Sequence, residues 1–364
     1  MKNILFLSTY PLGTAPGQRF RYEQYFHILT EHGYNHSHQP FIDFCTWNIL
    51  YKKGHIINKV LGICRGFIRR LRLLKQLKQY DCVFIFREAT LVGPPIFEFL
   101  IAKIFRKPII YDFDDAIWLP NFSEANRWIH WIKMYSKVNY IMQWSSVISA
   151  GNEYLAEYAR KQNPKAKIIV NPTTIDTEHY HNKIKDQHTE KLVIGWTGTH
   201  TTLRYLREIV FILQELEQSY DFEFLVISNQ KPNFSLRSLV YIQWNKDTEI
   251  EDLLRMNVGI MPLVRDAWSE GKCGFKALQY MALGIPAIVS PIGVNTKIVD
   301  NGVNGFLCDS PQEWKDALVA LLKEPQLRVR MGIAARRKVV EHYSVLSNTP
   351  NFLSLFEFLT TYTQ

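Results

Sequence analysis

No Cys-x-x-Cys pair and no Cys/His cluster occurs in this chain, and its five cysteines (Cys45, Cys64, Cys82, Cys273, Cys308) are odd in number and widely scattered. Neither a disulfide framework nor a zinc site is indicated, and a reducing cytoplasm fits. No stretch reaches the ~20 uninterrupted apolar residues needed to span a bilayer. The apolar run Ile4-Leu5-Phe6-Leu7 gives way to Ser8-Thr9-Tyr10-Pro11, which reads as a first strand rather than a signal peptide. No Gly-x-Gly-x-x-Gly fingerprint is present, which disfavours a dinucleotide-dependent oxidoreductase. Repeats and low-complexity tracts are missing, and no helix-turn-helix, zinc-finger or RNP pattern points to nucleic acid as a partner.

Acid is missing locally as well. Residues 51–80 hold nine Lys and Arg and no Asp or Glu, as many cations as the whole formal excess of +9. Ile57, Leu61, Cys64, Phe67/Ile68, Leu71, Leu74 and Leu77 recur there at helical spacing, which predicts a basic amphipathic helix over 56–79. Two readings stand. The apolar stripe packs on the domain core, or the helix rests on an anionic membrane surface, to which each basic residue adds ~1 kcal/mol. The expected location is cytoplasmic, with peripheral attachment to the inner face of the membrane left open.

What is present suits a globular protein of two domains of roughly 150–200 residues each: 364 residues, 47% hydrophobic and 13% aromatic. Strands are expected at 3–8, 82–86, 108–112, 146–149 and 168–170, with helices at 20–31, 95–104, 124–144 and 153–161 between them. Residues 181–190 read as a polar interdomain linker. The rhythm then restarts, with strands at 192–196, 223–228, 258–261 and 287–290, and helices at 202–217, 249–256, 274–283, 311–322, 326–342 and about 351–362. The expected fold is α/β, two Rossmann-like domains facing a central cleft. The N-terminal domain spans 1–185 and the C-terminal domain 186–345, while 346–364 forms a helix crossing back to the first domain. Ligands in such sheets bind at the carboxyl ends of the strands.

The stretch 270–290 carries most of the chemistry. A loop with Gly271 and Gly274 lets backbone N–H groups approach an anion, and the following helix N-terminus adds a favourable dipole. Lys272 and Lys276 supply cationic charge for a phosphate. Gln279, one turn further on the same face as Lys276, suits sugar hydroxyls. Gly198, Thr199 and His200 follow a strand and precede a helix, either as a phosphate cradle or as an ordinary capped helix start. Gly13, Gly17, Arg19 and Arg21 follow the first strand, where the arginines either hold a phosphate or lie solvated beside a tight turn. Asp112, Asp114 and Asp115 crowd the end of another strand, a density suited to a hard metal, general base work or sugar hydroxyls. Arg87 and Glu88 are expected beside them, with an Arg–Asp structural pair as the alternative. Trp244 is a candidate for nucleobase packing, against plain core packing.

In this order, the loop at 270–290, Asn301-Gly-Val-Asn-Gly305, Met331-Gly-Ile-Ala-Ala-Arg336 and Val170-Asn-Pro-Thr-Thr-Ile-Asp176 resemble the GT-B glycosyltransferases of family 4 (group 1). The resemblance implies a retaining transferase that takes a nucleotide-diphosphate sugar on its second domain and an acceptor, saccharide or lipid-linked, on its first. It implies work in cell-surface polysaccharide or glycolipid synthesis, usually without a metal. Of the family's two glutamates separated by seven residues, the positions here hold Gly271 and Gln279. Glu270, one residue out of register, is left to face the donor sugar. Asp114 stands where the family commonly has histidine. The catalytic set implied is therefore Asp114, Asp115, Glu270 and Lys276. The donor set is Gly17, Gly198, Thr199, His200, Lys272, Lys276 and Gln279, and Arg19, Arg21 and Glu88 lie on the acceptor or phosphate side. Two alternatives stay open: a sugar-nucleotide epimerase of the same fold, and a non-catalytic sugar-nucleotide-binding or membrane-scaffold subunit.

Overall fold

The computed structural model describes residues 1–52, 54–120 and 132–361. Lys53 of the basic stretch, residues 124–131 of the helix expected over 124–144, and residue 362 lie outside them. The chain divides into two compact units, 1–173 with 349–364, and 174–348.

In the first unit six strands, β1 (Lys2–Ser8), β2 (Tyr34–Pro40), β3 (Cys82–Phe86), β4 (Ile109–Phe113), β5 (Val147–Ala150) and β6 (Lys167–Val170), form one parallel sheet in the order 2-1-3-4-5-6. β1, β3 and β4 are near-continuous apolar runs, as strands covered by helices on both faces must be. β2, Tyr-Asn-His-Ser-His-Gln-Pro, has no such run and is not foreseen by the pattern. It lies at the sheet edge, where polar residues and a terminal proline are tolerated.

His38 of β2 sits 2.8 Å from Ser8 Oγ and 3.3 Å from Tyr22 Oη. Burial, aided by the nearby Arg70, pulls its pKa from 6.5 to about 4. As pH falls, the unfolded chain takes up this proton first, so His38 contributes stability that is lost between pH 6.5 and about 4. An NMR titration should place the His38 ring protons' midpoint near pH 4; a midpoint at 6.5 would contradict the packing.

Two aromatic residues near the C-terminus complete this unit. Phe352 stacks on Tyr25 at 4.1 Å between ring centroids, and Phe356 packs against Tyr34 and Phe84. The Asn351 amide donates to the Val170 carbonyl at 3.1 Å.

The helix Ile56–Leu74 is docked contrary to its apolar pattern. Its buried positions are Gly62, Gly66, Arg70 and Leu73. A Cβ at Gly62 would meet Thr46 at 2.3 Å, and one at Gly66 would meet the Phe41 carbonyl oxygen at 2.7 Å. Arg70 is fully buried and donates to three carbonyls, those of Ala89, Gln39 and Ser8, at 2.8 to 3.0 Å. Most of the apolar stripe read from sequence therefore does not pack on the core; it faces outward.

In the second unit β7 (Leu192–Gly198), β8 (Phe222–Ser228), β9 (Leu239–Gln243), β10 (Val258–Met261), β11 (Ala287–Val289) and β12 (Gly305–Leu307) form a parallel sheet in the order 12-11-10-7-8-9. Trp196, Phe224, Ile260 and Ile288 pack with Leu213 and Leu318 in its core. The segment expected as a free linker begins within this unit instead. Arg336 Nη1 donates to the His181 carbonyl and Nη2 to the Thr177 carbonyl at 3.0 Å, and Gln187 and Asn257 exchange amide hydrogen bonds with and around each other. The division accordingly falls at 173/174 rather than at 185/186, and on the return at 348/349, inside the helix Val345–Leu353. Polar composition misled here because these side chains satisfy buried backbone groups.

Candidate functional site

In each sheet the strand order reverses once, between β1 and β3 and between β7 and β10, and the crevice outside the strands' carboxyl ends at such a point is where ligands bind. The residues singled out from sequence gather at these two places, each within its own unit.

In the second unit the helix Phe275–Ala282 follows Gly274, whose φ of 67° is left-handed. A side chain there would also run into Ile298 Cδ1 at 2.1 Å, so glycine is required twice over. The helix stops at Gly284 by a Schellman pair, Ile285 N to the Tyr280 carbonyl and Gly284 N to the Met281 carbonyl, both 3.0 Å. Tyr280 locks it to the sheet: its hydroxyl oxygen accepts from Thr197 N at 2.9 Å, and its ring fills the space above Gly259 of β10. Burial raises this phenol's pKa.

That lock fixes the two residues of interest. The Lys276 ammonium lies 5.7 Å from the centroid of the Trp196 ring, which is itself buried at the end of β7. Gln279 is buried, and its Nε2 finds no hydrogen-bond partner among the described residues. A buried donor without an acceptor costs ~1–3 kcal/mol, so its retention points to a ligand that completes it. Lys272 holds its ammonium 5.2 Å over the Trp268 ring. Glu270 ends the short helix Ala267–Glu270, whose carbonyl backs onto Gly293: a Cβ there would come within 2.8 Å of it.

The loop after β7 is less open than a phosphate cradle. Thr202 Oγ1 accepts from Thr199 N at 3.2 Å, the Thr199 and Thr201 hydroxyls bond each other at 2.8 Å, and His200 N donates to Asn229 Oδ1 at 2.8 Å. The chain continues as a 3-10 turn, Leu203–Leu206, so the α-helix starts only at Arg207. Gly198 is where Trp196 and Thr202 crowd the backbone, at 2.5 and 2.8 Å from an added Cβ. Trp244 donates to Glu249 Oε1 at 3.1 Å beyond the edge strand β9, away from the β7–β10 switch point. A cavity of about 220 Å³, lined among others by Pro262, Val264, Arg265, Ser290 and Trp314, opens instead beyond β10 and β11. Sequence reasoning missed it because its lining, drawn mainly from the loops after β10 and β11 and from two helices, carries no motif.

In the first unit the loop after β1 is held by Gln18, which bonds both Tyr10 N and Tyr10 O, and by Glu23, which accepts from Gly13 N at 2.8 Å. Gly17 then abuts Phe86 and the Asp114 carboxylate, 3.0 and 3.1 Å from a Cβ built on it. Arg21 is not a phosphate ligand. It is fully buried and forms a fork on Asp112, with Nε to Oδ2 at 3.1 Å and Nη2 to Oδ1, while Nη1 donates to the Asn171 carbonyl. Arg19 is largely buried, with its guanidinium 5.0 Å from the Phe20 ring.

The Arg–Asp pair expected as an alternative is present. Arg87, in a left-handed backbone conformation (φ 60°), reaches Asp114 Oδ1 with Nε at 2.8 Å and Asp115 Oδ2 with Nη2 at 2.6 Å. Burial nonetheless raises the Asp114 pKa, against the pull of Arg87 and with the help of Asp115. Glu88 turns away to an ion pair with the buried Lys137 at 2.8 Å, which also donates to the Thr90 carbonyl. It anchors the helix Lys137–Trp144 rather than facing an acceptor.

Two parallel Rossmann-like α/β units of this order correspond to the GT-B fold. Residues 228–338, which lie within the second unit, match the family model of glycosyl transferases group 1. Over 72 residues, 20% of this chain and 17% of the relative, it is 33% identical to alpha-1,3/1,6-mannosyltransferase from Homo sapiens. Matched stretches span between 17% and 31% of the curated relatives. Sucrose-phosphate synthase from Thermosynechococcus elongatus superposes with a TM-score of 0.70 over 99% of this chain and 100% of that one, at 11% identity. The crystal structure of Anabaena HepE in complex with UDP-glucose gives 0.63 over 99% and 100%, at 14% identity. At such identities the likeness is one of fold.

Proposed function

We propose that the protein is a retaining glycosyltransferase that moves a sugar from a nucleotide-diphosphate sugar to a saccharide or lipid-linked acceptor, in cell-surface polysaccharide or glycolipid synthesis at the cytoplasmic face of a membrane. The observation that carries the reading is the pairing of Lys276 with Gln279 at the β7–β10 switch point, inside the segment that matches the group 1 family. Lys276 and Lys272 stabilise charge building on the leaving diphosphate, a preorganised electrostatic role. The orphaned Gln279 amide binds ribose hydroxyls, and Glu270 orients the donor sugar. The cavity beyond β10 and β11 takes the base in place of Trp244.

Asp114 accepts a hydroxyl of the acceptor. The likeness to a protein solved with UDP-glucose supports a uridine donor. Arg21 holds Asp112, and Arg87 holds Asp114 and Asp115, which supports a reading in which Lys272 and Lys276 rather than a metal ion face the diphosphate. A thermal-shift panel of nucleotide sugars with and without EDTA tests donor and metal together. A uridine-diphosphate sugar should raise Tm by the linkage expected of a bound ligand, with EDTA having no effect. A panel that leaves Tm unmoved throughout sinks the reading.

A further inference from the structure

The helix Ile56–Leu74 presents its best apolar face to solvent. Ile57, Leu61, Cys64, Ile68 and Leu71 follow one another at alternating steps of four and three, which places them on one line along the helix. Every one of them is exposed, Ile57 at 76% and Leu71 at 56% of full accessibility. The buried positions Gly62, Gly66, Arg70 and Leu73 lie on the opposite side, so the helix is pinned by glycines and by Arg70 with its apolar stripe outward. Val60 and Phe44 widen the exposed apolar area. An apolar line of this length left facing water marks an interaction surface.

The charges beside it choose the occupant. Arg72, Lys75 and Lys78 are exposed and make no ion pair among the described residues, while Arg65 and Arg69 share Asp43 at 3.4 and 3.7 Å. Between residues 51 and 80 there is no acid at all. A second copy seated on this seam would set arginine against arginine at the flanks where paired helices carry opposite charges. A surface of negative charge over an apolar interior suits both features at once.

We propose that the helix Ile56–Leu74 is a membrane-docking face: its outward aliphatic line enters the acyl boundary of an anionic bilayer, and Arg72, Lys75 and Lys78 meet the lipid phosphates. No helix among the described residues is long and apolar enough to cross a membrane, so the attachment is one of lying on the surface. The proposal deepens the reading of a lipid-linked acceptor at a membrane face. Its test does not involve donor binding or transfer, so the two can fail separately.

The full chain is sedimented with vesicles of phosphatidylcholine alone and of phosphatidylcholine mixed with phosphatidylglycerol, at low and high salt. Partitioning should favour the anionic vesicles by about tenfold or more and weaken as salt rises. The exposed triple variant Ile57→Ser/Ile68→Ser/Leu71→Ser should lose about tenfold or more of that binding with an unchanged Tm. Arg72→Gln should lose roughly fivefold. Indifference to phosphatidylglycerol overturns the proposal. So does binding untouched by the serine variant, or a dimer of the wild-type chain that the serine variant turns into a monomer.

Discussion

Arg21→Met should destabilise the first unit by about 3–5 kcal/mol, a fall in Tm of roughly 6–20 °C for a unit of this size. The guanidinium is fully buried and serves Asp112, Ser149 and the Asn171 carbonyl simultaneously. Methionine keeps the stem's volume but leaves a buried carboxylate with its charge uncompensated. That is the expensive way to break an ion pair, because the partner's desolvation remains while its attraction is gone. Arg21→Met/Asp112→Leu should recover a large part of the loss, since an apolar pair of similar volume has no charge left to compensate. Calorimetry on the two variants and on Asp112→Leu alone closes the cycle. A single Arg21→Met variant melting within a degree or two of the wild type would mean that the arginine is dispensable to the fold, and would return it to the role of phosphate ligand.

Arg21 also shows where sequence reading reaches its limit. An arginine two residues beyond Gly-Gln-Arg in a loop that opens a helix has the composition of an anion site, and nothing local distinguishes it from a strut. What decides is Asp112, ninety-one positions away on β4, and only the parallel register of the sheet brings the two together. The same holds for the linker at 181–190, whose polar residues look solvated until Arg336 and Asn257 are seen beside them. β1, β3, β7 and β8 are legible because a strand covered on both faces must be apolar throughout. The edge strand β2 escapes notice, having only one neighbour to satisfy. The helix Ile56–Leu74 is legible as a helix but not in its orientation. Periodicity locates an apolar face and does not say whether protein covers it, and here Gly62 and Gly66 made the closer-fitting side. At 270–290 the glycines, the helix and its stop all follow from local chemistry. The contact of Lys276 with Trp196 does not, since it depends on β7 ending beneath that helix.

That contact makes Lys276→Ala the most informative change at the candidate donor site. The ammonium lies 5.7 Å from the centroid of a buried indole, on a helix that Tyr280 locks to the sheet, and so is fixed in place at the carboxyl end of β7. Removing one such preorganised group lowers turnover by about 10²–10³-fold. Losing a cation–π contact costs the fold ~0.5–2 kcal/mol, so Tm should fall by roughly 1–8 °C. Gln279→Ala should act differently. If its orphaned amide binds ribose hydroxyls in ground and transition states alike, KM for the nucleotide sugar rises and kcat holds. Removing a buried donor that lacks a partner should leave stability level or raise it slightly. Steady-state kinetics on both variants, with melting curves beside them, separate the roles. A Lys276→Ala protein that turns over donor at the wild-type rate excludes the electrostatic role. A large drop in Tm would instead make Lys276 a structural cap on Trp196, and the diphosphate would have to be met by other cations of the second unit.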